Sequence, residues 1–200
     1  MPEDEICTLR IELCDSTPLI WREVEIPTSV TFKVLHDIVQ AAMGWHDQHL
    51  WEFQNGPTRI SASRGADWGG EPRVSATKLQ LREVLRPRRT TLTYLYDFGD
   101  SWEHRLVLTK IRQGEPGVGY PRYLAGENNA PPEDCGGIPG FYTMLEIIAD
   151  PAHPDHASMV EWLGEYDPQA IDASVLKMAL GRLAKRRNAA LARRARATQG

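Results

Sequence analysis

The chain has 200 residues, 42% hydrophobic and 25% charged, a balance that suits one globular domain with its own core and excludes a disordered or collagen-like chain. No apolar run approaches the ~20 residues that cross a bilayer, and the first five residues are acidic, unlike a secretory leader; a soluble, cytoplasmic protein is expected. The net charge of −4 is segregated: from Lys177 onward there are eight Lys or Arg and no acid, which leaves −12 on the residues before it, so any contact with a polyanion is expected at the C-terminal end.

Cys7, Leu9, Ile11 and Leu13 alternate with Thr8, Arg10 and Glu12, the period of a strand with one buried face. Asp15-Ser16-Thr17-Pro18 turns the chain into a second strand over residues 19–26. Thr31 can cap a helix whose apolar positions Val34, Leu35, Ile38, Val39, Ala42 and Met43 recur at helical spacing, with Gly44 as its stop. A strand over 50–53 follows. This opening order, strand–strand–helix–strand, is that of a β-grasp half-domain, an analogy of element order only.

Residues 55–73, rich in Gly, Arg and Ser, read as a surface loop around Trp68, followed by a short helix over about 75–85. Residues 91–97 and 102–111 are β-rich and flank a turn signal at Phe98-Gly99-Asp100-Ser101, a hairpin. The Pro- and Gly-rich stretch 113–137 reads as one long loop, of the kind that is functional or wrapped on the core. Helices are expected over about 139–149, 155–164 and from Asp172 onward, with the last turns frayed.

The hairpin carries the densest chemistry. A two-residue turn at Gly99-Asp100 would pair Asp97 with Trp102 and Leu95 with His104, putting Asp97 and His104 on one face as diagonal neighbours. There Asp97 would favour protonated His104 while desolvation opposes it. Arg22 falls in phase with Ile20, Val24 and Ile26, so its guanidinium points toward apolar surroundings and needs a carboxylate; Asp97, Asp100 and Glu133 are the candidates. The candidate polar pocket comprises Arg22, His46, His49, Asp97, Asp100, His104, Glu133 and Asp134. It reads either as a structural network that fixes the hairpin or as a binding pocket.

His46/His49 and His153/His156 each place two imidazoles three residues apart, a spacing that can chelate, but neither lies in an HExxH arrangement. Hydrogen bonding and capping at helix ends are expected of both pairs, and no metal or other cofactor is expected. Cys7, Cys14 and Cys135 form no CxxC pair and read as reduced thiols. Gly136-Gly137 lacks the Lys-Ser/Thr of a phosphate-binding loop. In the basic end, Lys185, Arg186, Arg187, Arg193, Arg194 and Arg196 are candidate phosphate contacts on a helix, and ordinary solvated charge is the equal alternative.

Ile20-Trp21-Arg22, Leu35-His36, Gly44-Trp45, His49-Leu50, the run from Tyr96 through Asp97-Phe98-Gly99-Asp100 to Trp102 and His104, the run from Pro131 through Glu133-Asp134-Cys135 to Gly137, and His153-Pro154-Asp155-His156 occur in that order. Together they resemble the plasmid pRiA4b ORF-3-like family, over about residues 5–183. The resemblance implies an α+β fold and supplies no catalytic residues. Some relatives are passenger proteins of insertion elements that carry a resolvase label; a serine-recombinase motif or an arginine-flanked tyrosine arrangement is not found here. The expected architecture is therefore α+β: a single domain over 1–183 with a mixed or antiparallel sheet, a β-grasp-like N-terminal half, a central β-hairpin and a helical C-terminal third, then a basic tail over 184–200. The expected function is that of a cytoplasmic accessory or binding protein linked to mobile DNA, with possible nucleic-acid contact through the tail, no membrane contact and no specified protein partner. The alternatives are a metal-dependent hydrolase built on the carboxylates and histidines, and a purely structural scaffold.

Overall fold

The computed structural model describes residues 5–62, 73–86 and 89–197. Strand β1 (Glu5–Leu13) buries Cys7, Leu9, Ile11 and Leu13 completely, as the alternation predicts. β2 (Trp21–Pro27) follows, then α1 (Phe32–Met43), which opens where the Thr31 side chain accepts a hydrogen bond from the Val34 amide and closes at left-handed Gly44. β3 (Trp51–Asn55), β4 (Thr58–Ser61), β5 (Arg73–Ser75), β6 (Thr90–Tyr96), β7 (Trp102–Gln113) and β8 (Arg122–Glu127) complete one sheet in the order β5-β4-β3-β6-β7-β1-β2-β8. The β4–β5 pair is parallel and the other pairs are antiparallel. The chain is α+β, and its opening order is the expected one: α1 carries it from β2 past β1, β7 and β6 to β3.

Helices α2 (Gly137–Ala149), α3 (His156–Leu163) and α4 (Ala173–Ala197) form the C-terminal third. α4 packs on α1 and β8 and buries Leu176, Leu180 and Ala184. It runs unbroken through position 184, and Arg187 Nη2 donates to Ser29 Oγ at 3.1 Å. Among the described residues no helix is long and apolar enough to cross a membrane. On the sheet face opposite the apolar side chains of β1, Glu12 lies between Arg10 and Arg105 and Glu25 between Arg112 and Arg122. The guanidinium heads bond these carboxylates directly, and that of Arg10 also lies over the Trp21 ring, 3.8 Å from its centroid.

Four expectations are corrected. Residues 58–61 and 73–75 of the expected surface loop are strands; Trp68 and the rest of 63–72 lie outside the described residues. The short helix of 75–85 shrinks to a single 3₁₀ turn, Leu81–Glu83, because the amides of Ala76 and Lys78 bond back to Ser61 and Ser75 carbonyls in a turn. The long loop contains β8, which has no apolar alternation and a glycine inside it; its extended form comes from pairing with β2. The hairpin register also slips by one residue. Tyr96 pairs with Trp102 and Tyr94 with His104, while Leu95 lies opposite Glu103. The connection has five residues, with Asp97 and Ser101 both at left-handed φ (55° and 56°) and the Ser101 amide closing on the Asp97 carbonyl. A one-residue slip exchanges faces, so the core receives Tyr94 and Tyr96 in place of Leu95 and Asp97.

Candidate functional site

Three loops meet at one end of the sheet: the segment after α1, the hairpin tip and the stretch before α2. Trp45 stacks on Tyr96 with ring centroids 5.2 Å apart, and its indole N–H donates to the Pro131 carbonyl at 2.9 Å. Tyr96 O–H donates to Glu133 Oε1 at 2.5 Å and accepts from the Gln48 amide; Glu133 Oε2 accepts the His46 amide at 2.9 Å. His49 stands between two acids, with Nδ1 3.6 Å from Asp97 Oδ2 and Nε2 3.0 Å from Asp134 Oδ1. The Gly136 amide donates to Asp100 Oδ2 at 3.1 Å. At Gly137 a Cβ would sit 2.3 Å from the Asp100 carbonyl oxygen, so only glycine lets the hairpin tip and the start of α2 approach this closely.

Beside this knot lies a cleft of about 540 Å³. Its walls come from the end of α1, the segment Asn129–Asp134, the end of α3 and the first turn of α4. Trp45, Trp162, Leu163, Tyr166 and Val175 give it an apolar and aromatic lining, and Arg22, His46, Glu133 and Asp134 add polar groups.

Of the eight predicted pocket residues, His49, Asp97, Asp100, Glu133 and Asp134 converge through their side chains and His46 through its backbone amide. Arg22 and His104 correct the expectation. Arg22 is buried, 1% exposed, but no carboxylate among the described residues pairs with it. Nε donates to Ala42 O, and Nη1 to the carbonyls of Trp21, Glu127 and Asn128. Desolvation pulls its pKa down to about 10. His104 is enclosed beneath Trp45 and Tyr94 on the inward face of β7, and the observed register puts Tyr94 rather than Leu95 opposite it and takes Asp97 off that face. Burial pulls its pKa down to about 4, so the ring is neutral; Nδ1–H donates to the Trp102 carbonyl and Nε2 has no partner among the described residues.

Cys135 is half-buried, and burial, with Asp100 and Asp134 nearby, pushes its thiol up to about 12, far from a nucleophile's range. His153 Nδ1 accepts the Asp155 amide in the turn that leads into α3, a local role like the one expected. His36 and Asp47 form a separate pair at 2.7 Å.

A family model described as plasmid pRiA4b ORF-3-like protein matches residues 5–175. The chain belongs to this family. It is 36% identical over 184 residues to the uncharacterized protein y4hQ of Sinorhizobium fredii, covering 90% of this chain and 92% of that one. It is also similar to the crystal structure of MM3350, a protein of unknown function from Methanosarcina mazei Go1, with a TM-score of 0.78 and 36% identity over 86% of this chain and 97% of that one. Two of the runs that carry the resemblance to the plasmid pRiA4b ORF-3-like family, that from Tyr96 to His104 and that from Pro131 to Gly137, touch in space at Tyr96–Glu133 and Asp100–Gly136. Sequence reasoning missed Trp45 and Tyr96 as organisers of the site, although both stand in the quoted motifs. It also missed Trp162 and Val175, large apolar side chains that stay exposed on their helices.

Proposed function

We propose that this protein is a ligand-binding accessory protein whose binding site is the cleft between α1, Asn129–Asp134 and the α3–α4 pair. The observation that carries the reading is the cleft itself: its volume of about 540 Å³ falls within the range of small-molecule sites, and an apolar lining with a few converging polar groups is their usual make-up. Trp162 and Val175 remain 54% and 49% exposed at its walls, a cost that an occupant would relieve. The test is a fragment screen by ligand-observed NMR against the full chain and against Val175→Trp, which narrows the cleft without touching the knot. Hits that lose binding in the variant support the reading; hits indifferent to it place binding elsewhere and overturn it.

A second reading, metal-assisted hydrolysis, is favoured by one group: ligand-type atoms of His49, Asp97 and Asp134 lie within 4.8 Å of one another. Among the described residues His49 Nε2 makes no aligned hydrogen bond despite its 3.0 Å approach to Asp134, so in the tautomer that leaves this nitrogen unprotonated its lone pair is free to turn to a cation. Such a mixed imidazole–carboxylate set suits zinc, manganese or iron. Titration with Zn²⁺ or Mn²⁺ should raise the melting temperature of the parent and leave Asp134→Asn unchanged. Equal shifts in both, or none in either, remove this reading.

Service to a mobile DNA element belongs to the first proposal. Its support is the segregation of positive charge onto the last two-thirds of α4, where Lys185, Arg186, Arg193 and Arg196 are exposed.

A further inference from the structure

We infer that the cleft takes an organic monocarboxylate with an apolar body, its carboxylate bonded to the free edge of the Arg22 guanidinium. This rests on the cleft reading above and names the ligand's chemistry. A guanidinium has five N–H donors. In Arg22, Nε and Nη1 are spent on four backbone carbonyls, at 3.1, 2.8, 3.1 and 2.8 Å. Nη2 has no hydrogen-bond partner among the described residues, yet it keeps some accessible surface, and Arg22 lines the cleft. The free edge therefore opens onto the cavity.

A buried cation met only by neutral dipoles is left short of compensation, and an anion at Nη2 completes it through a charge-assisted bond. The depressed pKa of Arg22, caused by desolvation, is the same deficit seen from the proton's side. The seat is built rather than incidental. Gly126 stands opposite Arg22 in the β2–β8 pairing, and a Cβ there would lie 2.8 Å from Arg22 Cδ, the Trp21 carbonyl and Tyr123 O–H. Asn128, whose carbonyl holds Nη1, is itself fixed at φ 59° by its side chain's bond to the Leu19 carbonyl at 2.8 Å.

The rest of the lining selects among anions. Among the described residues Arg22 is the sole Lys or Arg of the cleft, whereas Glu133, Asp134 and Asp172 also face it. Glu133 is taken up by Tyr96 and His46, and Asp172 by the amides that open α4, so neither is free to neutralise Arg22. Their negative field opposes a multiply charged phosphate and tolerates a single carboxylate. Trp45, Trp162, Leu163 and Val175 then suit an aliphatic or aromatic body.

The test titrates the full chain with N-acetyl-phenylalanine, its carboxamide, phenylacetate and inorganic phosphate, reading thermal melting and the arginine Nε–Hε resonances. Arg22→Ala would strand the four carbonyls and risk unfolding, so the control is Val175→Trp. The expected result is that the two carboxylates bind at least about tenfold more tightly than the carboxamide, the loss of one charge-assisted bond. The Arg22 resonance should shift with them, and Val175→Trp should weaken both. A preference between the acylated amino acid and phenylacetate separates a chain terminus from a free acid, and either supports the inference. Carboxylate and carboxamide binding equally, both lost in Val175→Trp, would overturn the anion inference and leave the cleft reading standing. Phosphate binding more tightly than the carboxylates would overturn it as well. Carboxylate binding indifferent to Val175→Trp, or no binding by any compound, would overturn both.

Discussion

His36 and His104 are completely enclosed, and each meets burial without charge. His36 Nδ1 accepts from Tyr94 O–H, which in turn accepts from Gln40, and Nε2–H donates to Asp47. Desolvation, followed by the Lys33 charge, pulls its pKa down to about 4 despite the neighbouring carboxylate. His104 is also held near 4, by burial. Both folded-state values lie below the ordinary value of 6.5, so the unfolded chain binds more protons between the two. Their stability contribution is complete above pH 6.5 and is lost as pH falls toward 4, by about 1.4 kcal/mol per pH unit for each histidine. Urea unfolding at pH 6.5, 5.5 and 4.5 measures this. His104→Gln should halve the slope whatever it does to absolute stability, and an unchanged slope would refute the assignment. The same scale governs Gly126→Ala, whose methyl meets Arg22, Trp21 and Tyr123 at 2.8 Å. It should cost about 1–3 kcal/mol through overpacking, read as a lower urea midpoint at constant m-value.

At the scale of elements, β1 and α1 were legible because periods of two and of 3.6 place Cys7–Leu13 and Leu35–Met43 on single faces. β4 and β8 were not: Thr58–Ser61 becomes a strand by folding straight back on β3 from within a Gly-, Arg- and Ser-rich stretch, and Arg122–Glu127 by pairing with β2, far earlier in the chain. The hairpin was visible but its register was not: Asp97 could close a short turn or, as found, leave the ladder in a left-handed conformation and widen the loop. That one residue decided the site. It took Asp97 off the face that His104 shares with Trp102 and Leu106 and turned it toward His49, and it made Tyr96 the link between sheet and Glu133. The Arg22 error has a different cause. Burial was readable from phase, whereas compensation by backbone carbonyls has no sequence signal. Tyr96→Phe tests the link. It should lower stability by about 1–2 kcal/mol, since the Gln48 amide and Glu133 both lose a partner. Hydrogen exchange at His46 and Gln48 should accelerate more than at β1 amides; uniform acceleration would show that Tyr96 merely fills the core.

Across the whole molecule, α4 joins two features of opposite character. Its first turn walls the cleft and its far half carries the positive charge, along a rod of about 37 Å at the helical rise per residue. If the basic half meets phosphates, Arg193→Gln/Arg194→Gln/Arg196→Gln should weaken duplex binding equally for all sequences. The log–log salt slope should become shallower by about 3, one unit for each phosphate no longer neutralised. An unchanged slope, or no duplex binding by the parent at low salt, reduces these cations to solvated charge.

Gly137 carries the contact between hairpin tip and α2 to its conclusion. With a would-be methyl only 2.3 Å from the Asp100 oxygen and the Gly136 amide bonded to the Asp100 carboxylate, hairpin tip and helix start are in direct contact and tied to each other. Tip and helix start therefore breathe as a single latch. Deuterium should reach the amides of Ser101 and Gly140 at one common rate, although thirty-eight positions of chain separate them.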